Sequence, residues 1–339
     1  MAHQNTVYAG MILIVGAGAV GTTLAGYLMA ARQPVRLLIR DRDATKCQST
    51  PQLHVDKVAG SAPLIVPKPE LTTKLDLSAV DYLLICVKYA ALDEVLSQLP
   101  ATLPRGLTLV STLNGISALP RIKKRYPAAR VANMTIMFNA QLLAPLHTQI
   151  TTKPQVIIDS SYPELLGLFH NSSMQVKRAD GQATAWGKLL INLANAVCAI
   201  THSTAKDLLT QRDMRAIYTA ALDEAVGLIV HAGIPFQFPL PLPYRLYRQI
   251  LLRGGPLSWW LAKAGNGLQE GSYPSMVADM ENGRKTEVDQ INGEIVALGR
   301  AQKLPTPIND AIVKLVRSFE GNRSPPYLKP SALRARLCI

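Results

Sequence analysis

Residues 11–21 read Met-Ile-Leu-Ile-Val-Gly-Ala-Gly-Ala-Val-Gly, an unbroken apolar run that ends in a turn with glycine at every second or third place. Few folds admit this pairing. Five consecutive apolar residues, 11–15, suit a strand buried on both faces of a parallel sheet. The G-x-G-x-x-G of residues 16–21 then opens a helical pattern over residues 19–31. Gly16 permits the tight turn, Gly18 lets phosphates approach the backbone, and Gly21 lets the helix pack close to the strand. The start of that helix offers N–H groups and partial positive charge. Strand, glycines and helix in this order point to a dinucleotide phosphate site made by Gly16, Ala17, Gly18, Ala19, Val20 and Gly21. A glycine-rich turn without a ligand is the plainer alternative.

The rest of the first half repeats the strand–helix rhythm. Residues 35–39, 82–87 and 107–110 read as further buried strands, and residues 90–99 and 116–126 as helices. The alternation predicts an α/β fold with an N-terminal Rossmann domain, a doubly wound parallel sheet. Shorter strand candidates are residues 64–66, 149–152, 155–158 and 174–178. After Gly181 the pattern turns helical, over residues 183–200, 212–232, 284–302 and 308–319, which predicts an all-α C-terminal domain. The expected organisation is a loose leader over 1–10, the nucleotide-binding domain over 11–180, a helical domain over 181–320 and a loose tail over 321–339. Residues 236–273, rich in proline and glycine, read as an irregular insertion with one short basic helix, 244–252.

The end of the second strand in such a sheet chooses the cofactor. A carboxylate there bonds the ribose 2′-hydroxyl of NAD, and a guanidinium suits the 2′-phosphate of NADP. Arg40 holds that place, with Arg42 nearby, so NADPH is the expected cofactor. Asp41 could offer a carboxylate after a small rotation, and a solvated strand end would explain Arg40 without any ligand.

Lysine and arginine number 36 against 23 aspartates and glutamates, a net charge of +13. The charges are dispersed, with no long basic block interleaved with aromatics, so neither nucleic acid nor a membrane is an expected partner. No apolar run approaches the roughly 18–20 residues of a membrane span. Four scattered cysteines, Cys47, Cys86, Cys198 and Cys338, form no C-x-x-C pair and read as free thiols, which predicts a cytoplasmic protein. No His, Cys, Asp or Glu spacing suggests a metal site. The sequence leaves a homodimer open.

Five stretches resemble the ketopantoate reductase (2-dehydropantoate 2-reductase) family. They are GAGAVG at 16–21 followed by Arg40, CVKYAALDEVL at 86–96, STLNGI at 111–116, WGKLLINLANAV at 186–197, and SYPSMVADMENGRKTEVDQINGEIV at 272–296. The last is the most specific. The resemblance implies a Rossmann domain followed by a helical domain, an active site in the cleft between them, and hydride transfer from NADPH to the 2-keto group of ketopantoate, giving pantoate for pantothenate biosynthesis. It also implies that Lys88 and Asn114 line the cofactor side, that Lys188 is the catalytic lysine, and that Asn192, Ser275 and Glu287 hold the substrate, with Glu287 part of the catalytic set.

The residues themselves agree with that chemistry. Reducing a ketone needs a hydride donor and a proton donor for the developing alkoxide. Lys188 stands at the head of an apolar run with no further charge until Lys206. At 100° per residue, Asn192 and Asn195 share its narrow helical face. Helix–helix hydrogen bonding by the two asparagines is the alternative. The commoner family pattern has asparagine eight residues after the lysine, where this chain has Ala196; Asn195 comes one residue early. Glu287 is expected near the start of a helix from residue 284, where the dipole alone could favour it. Ser275 could donate to a substrate carboxylate, cap the helix over 276–281, or both. His202 and His231 sit at or beyond helix ends and read as dipole partners. Two rivals stand beside ketopantoate reduction: reduction of a different 2-keto acid, with the insertion reshaping the pocket, and NADPH sensing without turnover.

Overall fold

The apolar run forms β1 (Ile12–Val15), fully buried at the middle of the main sheet. This computed structural model describes residues 10–57, 61–238 and 242–339; most of the expected leader therefore lies outside the described residues. Alternate β1 side chains serve opposite faces, as a strand requires. Ile12 and Ile14 enter one core, and Leu13 and Val15 enter another.

The chain divides into two compact units, residues Met1–Leu113 with Ala118–Gly181, and residues Asn114–Ser117 with Gln182–Ile339. In the first, α1 (Ala19–Ala30), β2 (Val35–Leu38), α2 (Asp41–Gln48), β3 (Gln52–Asp56), β4 (Leu64–Pro67) and β5 (Glu70–Thr72) follow β1. Next come β6 (Tyr82–Ile85), α3 (Leu92–Gln98), β7 (Thr108–Ser111), α4 (Ala118–Arg125) and β8 (Arg130–Ile136). The unit ends with β9 (Ala140–Ala144), β10 (His147–Ile150), β11 (Gln155–Asp159) and β12 (Gln175–Ala179). Eight strands form the main sheet in the order β12-β11-β8-β7-β6-β1-β2-β5. Pairing from β5 to β8 is parallel, and the β8–β11 pair is antiparallel.

A second sheet, β4-β3-β10-β9, was not expected. Its presence explains why every residue of α1 from Gly21 to Leu28 is buried. A helix apolar on all sides needs neighbours on all sides. The β-carbon of an alanine at Gly26 would come within 2.8 Å of Leu53 and 2.9 Å of Val55 on β3, so glycine there admits the second sheet.

The helical unit contains α5 (Gly181–Thr201), whose first residue belongs to the other unit, α6 (Ala205–Thr210) and α7 (Arg212–His231). It continues with α8 (Tyr244–Arg253), α9 (Gly255–Asn266), α10 (Ser275–Glu281), α11 (Asn292–Gln302), α12 (Pro307–Phe319) and α13 (Pro330–Arg336). At 21 residues and a mean hydropathy of 1.3, α5 is long and apolar enough to cross a membrane, but two thirds of it is buried among the other helices. That is how the core helix of a bundle reads.

Two expectations need correction here. Within the expected irregular insertion, residues 239–241 lie outside the described residues, but residues 244–266 form two consecutive helices, α8 and α9, and α8 is tied to α7 because Tyr244 and Arg248 both donate to the Asp223 carboxylate. The tail is not loose either. Leu333 on α13 and Leu337, which caps its end, are buried in the helical core, and Arg334 pairs with Asp213 at 2.8 Å.

Candidate functional site

In the first unit, the three glycines meet the conditions read from their spacing. Gly16 has φ +110°, and a β-carbon there would lie 2.8 Å from the Cys86 carbonyl oxygen. At Gly21 a β-carbon would overlap the Gly16 carbonyl oxygen, so strand end and helix start touch through backbone alone. Gly18 is exposed, precedes α1 as its cap, and has open space where a side chain would stand. No acidic residue occupies the first turn of α1, so no first-turn side chain offsets the partial positive charge at Ala19, Val20 and Gly21. A pyrophosphate fits such a cradle. Arg40 lies just past β2 as the residue capping α2, exposed, with its backbone extended. Asp41 begins α2. Lys88 is exposed just past β6, at the same end of the sheet as Gly16, because Val15 of β1 pairs with Ile85 of β6 in parallel register.

In the helical unit, α5 carries Lys188, Asn192 and Asn195. All three are half-buried while Leu189, Leu190, Leu193 and Ala196 are buried. The polar stripe deduced from helical periodicity therefore exists. Ala196, the place of the commoner family asparagine, is fully enclosed in the core, whereas Asn195 is half-buried.

Glu287 joins this stripe through Asn114. The Asn114 side-chain amide donates to a Glu287 carboxylate oxygen at 3.0 Å, and its carbonyl accepts from the Asn192 amide at 3.4 Å. Asn114, expected on the cofactor side, links Glu287 to α5. Gly115 makes the approach possible. It has φ +84°, and a β-carbon there would fall 2.5 Å from the Gln290 carbonyl oxygen. Ser117 holds the other end of the loop by hydrogen bonding to the Glu294 carboxyl, whose pKa burial raises against the pull of those bonds. Sequence reasoning missed Ser117 and Glu294; the only signal was a glycine after Asn114.

Burial lowers the Lys188 ammonium to a pKa of about 8, with the Glu287 carboxylate pulling in the opposite direction. A cation losing water favours release of its proton, and a nearby anion resists it. The result is a donor poised close to neutrality, beside a carboxylate and two amides.

Other expectations change. Glu287 does not lie on a helix starting at residue 284; it precedes a 3-10 turn, Val288–Gln290, and α11 begins only at Asn292. The dipole of a long helix thus cannot account for its presence. Ser275 is the first residue of α10, exposed, and the capping position belongs to Pro274 with no side-chain cap. The capping role is overturned. His202, 14 residues beyond Lys188 and about 21 Å away along the helix axis, pairs with Glu281 at 2.6 Å and lies against the Tyr273 and Tyr327 rings. It is engaged elsewhere. Among the described residues no group of acidic, histidine and cysteine side chains could hold a metal.

Comparison with known proteins assigns both units to one family. Residues 12–161 match the family described as ketopantoate reductase PanE/ApbA, and residues 180–320 match its C-terminal counterpart. The 2-dehydropantoate 2-reductase of Vibrio cholerae is 26% identical over 320 residues, covering 92% of this chain and 99% of that protein. A PanE/ApbA family ketopantoate reductase from Ralstonia eutropha has the same fold with a TM-score of 0.76, at 23% identity over 92% of this chain and 99% of its own. D-mandelate dehydrogenase, solved with NADH and anilino(oxo)acetate, superposes with a TM-score of 0.75 at 19% identity over 91% of this chain and 97% of its own.

Proposed function

Since the chain belongs to the ketopantoate reductase family, a family of oxidoreductases acting on CH–OH groups, we propose that it reduces ketopantoate to pantoate with NADPH. The observation that carries this reading is the Lys188 ammonium, its pKa drawn down to about 8, next to a Glu287 carboxylate that Asn114 ties to Asn192. When bound, the reduced nicotinamide supplies a hydride for C2 of the keto acid. Lys188 donates a hydrogen bond to the C2 oxygen, polarises it, and passes its proton to that oxygen as the C2–H bond forms and the C=O π bond breaks. Lysine, left neutral, regains a proton from solvent. Glu287 accepts from the substrate hydroxyl and keeps the ammonium charged until the proton is needed. Asn192 and Asn195 continue the polar face, and Ser275 donates to the carboxylate. Arg40 takes the 2′-phosphate that distinguishes NADPH from NADH, and Lys88 adds positive charge at the phosphate end of the sheet.

One observation favours a different 2-keto acid as substrate. At Gly187, next to Lys188, a β-carbon would overlap the Gln237 carbonyl oxygen, and the Gln237 amide donates to Ala183 at 2.9 Å. The backbone at Gln237 is thus laid on α5 one residue from the catalytic lysine. Steady-state oxidation of NADPH with ketopantoate, against aromatic and unbranched 2-keto acids, decides between them. Turnover several-fold more efficient on another acid moves the substrate assignment, and no turnover on any of them refutes reduction altogether.

A further inference from the structure

Glu287 stands outside any α-helix, so something else must fix it. Thr286, buried beside it, sends two hydrogen bonds to one oxygen of Glu320, from its amide at 2.8 Å and from its hydroxyl at 2.6 Å. The same hydroxyl accepts from the Val288 amide at 3.2 Å. On the other side of Glu287, Asp289 is gripped by Arg317 at 2.8–2.9 Å. Arg317 and Glu320 belong to the last turn and the C-cap of α12. An acid at a helix C-terminus opposes the helix dipole, so α12 gains nothing from carrying Glu320 there. The segment carrying Glu287 gains two charge-assisted bonds. A site of this kind works only when its groups are held to about 0.5 Å.

We propose that Glu320 is a positioning residue for the active site: through Thr286 it holds Glu287 in reach of Asn114 and Lys188, with Arg317 bracing the far side through Asp289. The roles of Glu287 and Lys188 in reduction rest on the function proposed above, but their placement can be read without turnover. Glu287 raises the pKa of Lys188; if Glu320→Ala lets Glu287 drift, the Lys188 pKa falls further. Competitive acetylation across pH, followed by mass spectrometry, reads that pKa in the full-length protein. A fall of about half a unit or more is expected in Glu320→Ala. Glu320→Gln keeps the accepting oxygen and should restore the original value. In ketopantoate assays the alanine variant should raise KM about tenfold, with NADPH affinity constant, and the glutamine variant should recover most of it. Thr286→Val removes only the hydroxyl and should show a smaller shift in the same direction, so it decides the matter if Glu320→Ala fails to fold. An unchanged Lys188 pKa in folded Glu320→Ala, or in Thr286→Val where the alanine variant is lost, overturns the proposal. Absence of turnover in the unmutated protein would instead refute the function and leave the acetylation result standing.

Discussion

Replacing Lys188 by methionine sets catalysis against stability, and the size of the effect follows from its surroundings. The fold draws the lysine pKa from 10.5 to about 8. At 1.36 kcal/mol per unit, holding the ammonium in place below pH 8 costs the folded state roughly 3 kcal/mol. Below that pH both folded and unfolded chains carry the proton, so the cost is fully present. Between about 8 and 10.5 the folded chain releases the proton while the unfolded chain keeps it, and stability rises with pH. Above 10.5 both are neutral and the cost is gone. Methionine has similar length and no charge. Lys188→Met should therefore be more stable than the unmutated protein at pH 7, by up to that amount, with the gap closing toward pH 10.5. That figure is net: it already includes the opposing attraction to Glu287. Urea unfolding at several pH values measures the gap, and other titrating groups cancel in the difference. Activity should move the opposite way. kcat should fall by about a hundredfold or more, the scale of losing a general acid with its electrostatic support. For the unmutated protein, kcat/KM should decline above about pH 8, and that limb should be missing from whatever activity the variant keeps. A limb near 10.5 in the unmutated protein, or a stability gap that does not change with pH, would refute the reasoning.

Other perturbations test separate parts of the molecule. NADPH should bind at least tenfold more tightly than NADH, and Arg40→Ala should erase most of that difference in a fluorescence titration. Glu287→Ala and Ser275→Ala should raise the keto-acid KM strongly and leave NADPH affinity nearly unchanged. Gly115→Ala places a β-carbon 2.5 Å from the Gln290 carbonyl oxygen at φ +84°; it should cost about 1–3 kcal/mol in unfolding experiments and weaken activity as Asn114 leaves Glu287. Truncation after Lys329 removes buried Leu333 and Leu337, each worth roughly 1.5–3 kcal/mol, so the melting temperature should drop by several degrees or more.

How much of this was readable in advance depended on distance along the chain. The turn at Gly16–Gly18–Gly21 and the polar face of α5 come from neighbours a few residues apart, and periodicity reveals such neighbours directly. The second sheet escaped notice because its strands are short and partly exposed, and β9, Ala-Gln-Leu-Leu-Ala, exposes four of its five residues. Its trace was Gly26, a glycine inside a helix with no local reason to be there. Glu287 was recognisable only through the family motif, and its helical setting was misjudged because the apolar spacing of residues 288, 291 and 295 continues smoothly across a 3-10 turn. The Asn114–Glu287 bond joins residues 173 positions apart, and no local pattern predicts such a pair. α13 was hidden because Pro330, Arg334 and Arg336 surround its one core leucine, Leu333.

Because Asn114–Ser117 belongs with the helices rather than with the strands that flank it in sequence, the helical unit is discontinuous along the chain, and this bears on its synthesis. A ribosome adding about 5–20 residues per second makes Asn114 roughly 9–35 s before it makes Glu287. During that interval the loop has finished strands on both sides in sequence and no carboxylate to bind. The same discontinuity limits recombination. A helical half transplanted from residue 182 onward would bring its own lysine and glutamate but inherit its asparagine from the recipient, so chimaeras between distant relatives should work best when these four residues travel with the C-terminal half.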